Sequence, residues 1–253
     1  MMEYSFLHNP FIKVSDLKKS FRSEATLFDV LRRLVKQGRI VKLKGGLYAT
    51  VNPLHEDIYV GRFEIATTLY EGAYCAYHTA LEYHGLATQV YNDVHVVTKN
   101  RYSPMLIDGL EYQFFQSTCD HGILEEKKNA LIRVTDLERT VADCLDKMLL
   151  SGGIEEVFAA LSAMERCDET KLLTYLFDYR KKILFKKAGY FFSLLKPKYL
   201  SDEFYRTCRK NMSFTDDFVI QNRKNPSIYS SEWRLYVPKW LPKEEKGDDR
   251  FIG

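Results

Sequence analysis

The segment that most constrains the fold is residues 23–50, where an amphipathic helix pattern runs directly into a hairpin pattern. In "SEATLFDVLRRLVKQG" (23–38), apolar residues recur at helical spacing, with Ser23 as a predicted N-cap and Gly38 as the C-terminal glycine. "GRIVKLKGGLYAT" (38–50) then places two runs of β-formers around a Gly-Gly pair, which predicts a tight turn whose two glycines both have positive φ.

A second helical pattern precedes this segment. "VSDLKKSF" (14–21) has Ser15 as a predicted N-cap and places Val14, Leu17 and Phe21 on one face. Helix, short turn, longer helix and charged hairpin, in this order, are the parts of a winged helix-turn-helix. The first helix of such a module would have to come from "MMEYSFLHNPFI" (1–12).

Charge is distributed unevenly along the 253 residues. Residues 1–50 contain ten Lys and Arg against four Asp and Glu, which is a net charge of +6; residues 51–170 have −11 and residues 171–253 have +8. A cationic helix and hairpin at the N-terminus favour a polyanionic partner, and the dimensions fit duplex DNA, with the helix in the major groove and the hairpin along the phosphates. A winged helix that is used only for protein contacts is the alternative interpretation.

The predicted DNA-binding residues are those that the helical and hairpin patterns leave facing solvent. They come from the predicted helix 14–21 and its end, from the predicted recognition helix 23–38 and from the hairpin: Lys18, Lys19, Arg22, Ser23, Thr26, Arg32, Arg33, Lys36, Lys42 and Lys44.

The remaining sequence predicts a larger mixed domain. Helical patterns at 61–70, 77–85, 136–149, 152–164 and 168–182 alternate with strand patterns at 93–99, 110–116 and 130–135. We therefore predict an α+β protein: a winged helix-turn-helix domain at 1–54, a mixed α+β domain at 55–242, and a mobile tail at 243–253. Five cysteines without a CxxC pair, no signal-peptide pattern and no long apolar run lead us to expect a reduced, cytoplasmic protein that does not cross a membrane.

A series of short motifs, in a fixed order behind the predicted winged helix, carries a resemblance to a known family. The motifs are "AYCAYHTALEYHGL" (73–86), "VTDLERTVADCLDK" (134–147), "GGIEEVFAAL" (152–161), "KKAGYFFSLL" (186–195) and "SSEWRLYVPKWLP" (230–242). Together they resemble the AbiEi family, the antitoxin and transcriptional-regulator components of bacterial type IV toxin-antitoxin and phage-defence operons.

The resemblance implies a protein that represses its own operon by binding double-stranded DNA at inverted repeats. It also implies antagonism of a nucleotidyltransferase-like toxin, without a need for a stable toxin complex. It places the recognition helix at Ser23 to Gln37 and the wing at Arg39 to Thr50. Whether two copies meet as a preformed dimer or only on DNA is left open.

The histidines and the acidic residues are the candidates for metal or catalytic sites. His78, His84 and His95 do not have the spacing of a metal-binding motif, so we expect no metal and no cofactor. Within "DLERTVADCLD" (136–146), Asp136 is predicted to cap a helix and Arg139 to form a buried ion pair.

An enzyme is the alternative from a different class. A metal-dependent nuclease, or another nucleic-acid enzyme with a winged-helix targeting domain, would use Asp93 or Asp108 together with Glu111. No glycine-rich phosphate loop, nucleophile elbow or readable Cys/His pairing supports catalysis, so we expect that the chain is not an enzyme. A protein-binding adaptor is a third alternative.

One further basic run has two interpretations. Arg180, Lys181, Lys182, Lys186 and Lys187 form either a solvated helix face or a second surface for a polyanion, DNA or RNA.

Overall fold

The computed structural model describes residues 4–51, 60–117, 119–127, 130–220 and 227–241. The predicted domain boundary near residues 52–57 and the predicted tail lie outside the described residues. The fold is of the α+β class, as predicted. Two compact units are formed by non-contiguous parts of the chain: Met1–Cys75, Tyr91–Ser117 and Ile123–Val134 form one, and Ala76–Val90, Thr118–Gly122 and Thr135–Gly253 form the other.

The N-terminal part of the first unit is a small helical and antiparallel assembly. After a 3-10 helix at Ser5–His8, the elements are β1 (Phe11–Lys13), α1 (Val14–Leu17), a 3-10 turn (Lys18–Ser20), α2 (Glu24–Lys36), β2 (Ile40–Lys44) and β3 (Leu47–Thr50). The strands form an antiparallel sheet in the order β1-β3-β2. Its core is the apolar stripe predicted for α2 (Leu27, Val30, Leu31 and Leu34) packed with Ile12, Val14, Ile40 and Tyr48.

The hairpin differs from its prediction in the turn. The two-residue turn at Gly45 and Gly46 is present, and Gly46 has φ +74°, but Gly45 is not in the positive-φ region, so the prediction that both glycines have positive φ is wrong. A register irregularity between Lys42 and Lys44 accompanies this turn. A bulge increases the local right-handed twist of a strand pair, so a turn with a single left-handed glycine is able to connect the two strands.

The rest of the first unit is a six-stranded mixed sheet with one helix, α3 (Arg62–Leu69). The strands are β4 (Tyr74–Cys75), β5 (Asp93–Val97), β6 (Met105–Ile107), β7 (Leu110–Phe115), β8 (Ile123–Lys127) and β9 (Leu131–Thr135), in the order β6-β7-β5-β4-β9-β8. β5 and β7 are parallel, with Asp93 opposite Glu111 and Val97 opposite Phe115. The central strand β5 was predicted because its valines alternate with polar residues and are β-branched; the short strand β4 and the edge strands β6 and β8 were not predicted.

The second unit is mainly helical. It contains α4 (Tyr77–Tyr83), α5 (Leu137–Asp146), α6 (Ile154–Ala163), α7 (Glu169–Asp178), α8 (Lys182–Leu195) and α9 (Asp202–Asn211). A small sheet in the order β10-β12-β11 follows, from β10 (Asp217–Phe218), β11 (Ser227–Ser230) and β12 (Leu235–Pro238). Its core is aromatic, with Tyr190, Phe191, Phe192, Phe204 and Trp233 all essentially inaccessible to solvent.

Helix α8 approaches the small sheet through a glycine. A Cβ at Gly189 would lie 2.1 Å from Cζ3 of Trp233, so only glycine allows the indole to lie against the backbone of α8. Within the described residues, none of the helices combines the length and apolar composition that a membrane crossing requires.

Candidate nucleic-acid interface

The centre of the candidate interface is α2, and its position is set by a local capping signal. The Ser23 hydroxyl accepts a hydrogen bond from the Thr26 backbone N–H at 3.2 Å and lies 3.0 Å from the Thr26 hydroxyl. The predicted N-cap is therefore confirmed. Ser23 and Thr26 are exposed, so their hydroxyls face solvent in addition to capping the start of α2.

Two neighbouring arginines of α2 differ in their surroundings. Arg32 is about three-quarters exposed and forms an ion pair with Asp29 at 2.8 Å. Arg33 donates a hydrogen bond from Nη2 to the Tyr4 hydroxyl at 2.7 Å, which connects α2 to the segment before the first 3-10 helix. Arg33 is held by a segment 29 residues earlier in the chain, whereas the partner of Arg32 is an exposed carboxylate on the same helix, so Arg32 is the better placed of the two for an external ligand.

The remaining cations of this region are also at the surface. Lys18 pairs with Glu24 at 2.8 Å across the start of α2, with both side chains at least half exposed. Lys19, Arg22 and Lys36 are exposed. The cationic residues predicted before and along α2 thus all lie on the solvent side of the apolar stripe.

The hairpin lysines are not equivalent. Lys42 is exposed on β2. Lys44, near the turn, is partly buried, and its Nζ lies 3.8 Å from the centroid of the Tyr70 ring, a cation–π geometry. Burial, with a smaller contribution from the charge of Lys13, lowers the pKa of Lys44.

Tyr70 belongs to an aromatic cluster that sequence reasoning missed. Its ring stacks on Tyr102 at 3.5 Å and meets Phe114 edge-on at 5.1 Å. Burial raises the pKa of Tyr70, and Tyr102 adds to this effect. The cluster holds the ring that receives Lys44, and no local spacing in the sequence relates position 44 to position 70.

The second basic run does not form one surface, because two of its members are buried. Lys186 is fully buried, with Nζ bonded to Oδ2 of Asp217 at 2.6 Å and to the Thr215 carbonyl oxygen. The Nζ of Lys187 donates to the Leu145 carbonyl at the end of α5, at 2.8 Å. For these two residues, both interpretations of the basic run, a solvated helix face and a polyanion surface, are therefore wrong.

The outer members of that run remain at the surface. Arg180, Lys181 and Lys182 are exposed, and Lys181 forms an ion pair with Asp146 at 2.7 Å. Helix α8 begins at exposed Lys182, and its next turns are buried from Leu184 onward. The basic run therefore changes from exposed to buried within a few residues.

Residues considered for metal binding or catalysis have other partners. His78 contacts buried Glu156 at 3.3 Å, and Nε2 of His84 lies 2.8 Å from the Thr135 carbonyl oxygen. Asp93 and Glu111 are opposite each other in the sheet, which is the proximity that the nuclease alternative needs. Among the described residues, however, no group of three or more His, Cys, Asp or Glu side chains could hold a metal ion.

The predicted roles of Asp136 and Arg139 are confirmed. Asp136 caps α5 by accepting from the Arg139 backbone N–H at 2.8 Å. The Arg139 side chain is fully buried and pairs with Asp143 at 3.1 Å.

No protein-family model matches the chain, and no curated protein sequence is significantly similar to it. A search of solved structures found a similar fold in the crystal structure of the RV2827C protein from Mycobacterium tuberculosis. The TM-score is 0.63 at 12% sequence identity, over 90% of this chain and 86% of that one. At this identity, the similarity shows a shared fold and nothing about function.

Proposed function

We propose that the protein is a DNA-binding autorepressor and antitoxin of a bacterial type IV toxin-antitoxin operon, which acts in the cytoplasm and antagonises a nucleotidyltransferase-like toxin. In this proposal, residues 4–51 are a winged helix-turn-helix. The order of the described elements supports this: a helical turn, β1, α1, α2 and the β2-β3 hairpin, with β1 completing a three-stranded sheet.

The observation that carries the proposal is the two-sided character of α2. One side is packed on the β1-β3-β2 sheet through Leu27, Leu31 and Leu34. The other side is solvated and cationic, with Arg32 exposed. A helix of 13 residues supported in this way fits the major groove, and exposed Lys42 on the adjacent hairpin is in a position to contact backbone phosphate.

The surroundings of the predicted DNA-binding residues support different proposed roles for them. Arg32 is proposed to contact base edges, since releasing it from an exposed pair with Asp29 has a small cost, about 0.2–1 kcal/mol. Arg33 is proposed to position α2 through Tyr4. Lys42 is proposed to contact phosphate, and Lys44 to position the hairpin through Tyr70.

The antitoxin part of the proposal depends on the AbiEi-like motifs, which lie mainly in the second unit. A nucleotidyltransferase-like reading frame next to this gene would be the expected toxin. Co-expression of that toxin with the full chain should restore growth, and failure to restore growth would contradict the antitoxin role while leaving DNA binding intact.

A mobility-shift titration on the upstream DNA, with a scrambled duplex of equal length, tests the DNA-binding part. Arg32→Ala should weaken binding to the upstream DNA by about 1–3 kcal/mol and leave the scrambled duplex nearly unaffected. Lys42→Ala should weaken binding to both duplexes and reduce the salt dependence by about one unit of slope.

Lys147→Ala serves as the matched control, because Lys147 is an exposed lysine of the second unit. It should bind both duplexes like the unmodified protein. If Arg32→Ala and Lys42→Ala also bind like the unmodified protein, α2 and the hairpin do not contact DNA and the proposed docking is refuted.

A further inference from the structure

A cysteine, a histidine and an aspartate of the second unit form a chain of side-chain contacts, in which the histidine lies between the other two. The Cys119 Sγ is 3.6 Å from Nδ1 of His121, and Nε2 of His121 is 2.9 Å from Oδ2 of Asp178 at the end of α7. Asp178 accepts the Nε2 proton, so the tautomer that it favours leaves Nδ1 unprotonated and able to accept the thiol proton.

A guanidinium completes the cluster. Arg139 donates from Nη1 to the Cys119 Sγ at 2.7 Å, and this side chain is fully buried in α5. A fixed positive charge next to sulfur stabilises the negative charge that develops on a thiol as it loses its proton.

The loop that carries the cysteine is held from several sides. Arg139 also donates to the carbonyl oxygens of Cys119 and His121, at 3.1 and 2.7 Å. The Gly122 carbonyl accepts from the Asp136 backbone N–H at 2.8 Å. Sulfur, imidazole and guanidinium therefore have a defined mutual geometry in an otherwise irregular segment.

We propose that Cys119 is an oxidation site that reacts with hydrogen peroxide to form a sulfenic acid, with His121 as the proton acceptor. In the reaction, the thiol proton moves to Nδ1 of His121 and sulfur attacks one peroxide oxygen. The S–O bond forms as the O–O bond breaks, and the leaving hydroxide takes the proton from His121 to become water. Sulfur is oxidised by two electrons and peroxide is reduced.

The exposure of the cluster limits which oxidant reaches it. Cys119 is only 5% exposed, whereas the His121 side chain is about half exposed. A small uncharged molecule such as hydrogen peroxide meets this restriction better than a bulky disulfide. The carboxylate of Asp120 is fully exposed and lies 3.8 Å from Nδ1 of His121, which is longer than a hydrogen bond. It therefore leaves Nδ1 free to accept the proton of the Cys119 thiol.

The other cysteines lack this combination. Cys167 is more exposed than Cys119, but burial and the nearby carboxylates of Glu138 and Asp168 raise its thiol pKa. Burial also raises the pKa of Cys119, but there Arg139 and a backbone hydrogen bond from the His121 segment oppose the effect. Removal of the proton by His121 during attack means that a preformed thiolate is not needed.

The test uses the full-length protein treated with hydrogen peroxide for increasing times. Catalase removes the peroxide, the protein is unfolded in urea that contains dimedone to trap sulfenic acid, and peptides are quantified by mass spectrometry. We expect the Cys119 peptide to acquire the adduct first, and Cys119→Ser to lose that adduct. The proposal is overturned if Cys167 is oxidised as fast as Cys119.

His121→Ala should slow oxidation of Cys119 by at least about tenfold, since a positioned base contributes that much or more. His8→Ala, at an exposed histidine of the first unit, is the control and should react at the unmodified rate. Asp178→Asn should slow the reaction less, in the same direction, and it tests the idea independently if His121→Ala does not fold. Unchanged rates in folded variants of His121 and Asp178 would exclude the proposed role of the cluster.

Discussion

Replacing Arg139 by leucine is the sharpest test of what holds the second unit together. The guanidinium bonds Asp143 and the Tyr179 hydroxyl through Nε, each at 3.1 Å, in addition to its contacts with the cysteine loop. Leucine retains much of the aliphatic volume but none of these donors. We therefore expect Arg139→Leu to destabilise the unit rather than only to change its charge.

The magnitude follows from the groups that the substitution leaves unpaired. Two carbonyl oxygens, those of Cys119 and His121, would lose a charged donor, at about 1 kcal/mol or more each. Asp143, 2% exposed, would lose its counter-ion, and removal of one partner of a buried pair costs about 3–5 kcal/mol. Because these losses overlap, we expect a total of about 3–5 kcal/mol in the free energy of unfolding.

Urea unfolding at pH 8 provides the assay. Both tryptophans, Trp233 and Trp240, belong to the second unit, so their fluorescence reports on the unit that contains Arg139. Comparison of Arg139→Leu, Asp143→Asn and the double variant gives the coupling energy between the two side chains. We expect the double variant to be more stable than the sum of the single losses predicts, by about 1–3 kcal/mol.

Two results would refute this reasoning. A loss of less than about 1 kcal/mol for Arg139→Leu would mean that the buried guanidinium is not a structural centre, since such a loss is typical of exposed pairs. Strict additivity of the two substitutions would mean that Arg139 and Asp143 do not act as a pair.

Two further predictions concern the second unit. Gly189→Ala should destabilise it by about 1–3 kcal/mol, because the added Cβ would overlap the Trp233 ring. Gly45→Ala, whose added Cβ would meet no atom within 4 Å, is the control and should be nearly neutral. Equal urea midpoints for the two variants would contradict the close contact between α8 and Trp233. Burial raises the pKa of Asp143 from 3.8 to about 7, so the folded state holds a proton there that the unfolded state has released. The stability that this bound proton contributes is complete below pH 4 and is lost as the pH rises through 7. Relative to Asp143→Asn, the unmodified protein should therefore lose about 2–3 kcal/mol in the free energy of unfolding between pH 5 and 8. Parallel dependence of the two stabilities on pH would exclude the raised pKa of Asp143.

Features encoded over a few residues were predicted well from sequence. The N-caps at Ser23 and Asp136, the buried stripe of α2 and the ion-pairing of Arg139 all depend on side chains within one or two turns. Strand β5 was predicted for a similar reason, because valines that alternate with polar residues over a few positions are a local signal.

Features that depend on distant partners were not predictable in this way. From sequence, Lys186 is predicted to be a surface lysine, because its partner Asp217 is 31 residues later in the chain. Cys119 and His121 are only two residues apart, but Asp178 and Arg139 come from two different helices, and sequence spacing does not show that they meet. Short strands such as β4 carry too few residues to show a period.

These distant partners change what a basic segment offers to a polyanion. Exposed pairs such as Arg32 with Asp29 can open for a ligand, because they contribute about 1 kcal/mol or less. Lys186 is different, because it is fully buried. Separating it from Asp217 would leave its ammonium group with neither a counter-ion nor solvent, at a cost of about 3–5 kcal/mol. Burial rather than pairing therefore decides which lysines and arginines can reach a phosphate. On this criterion, the cations around α2 stay available as a set, whereas the basic run that enters α8 is divided between surface and core.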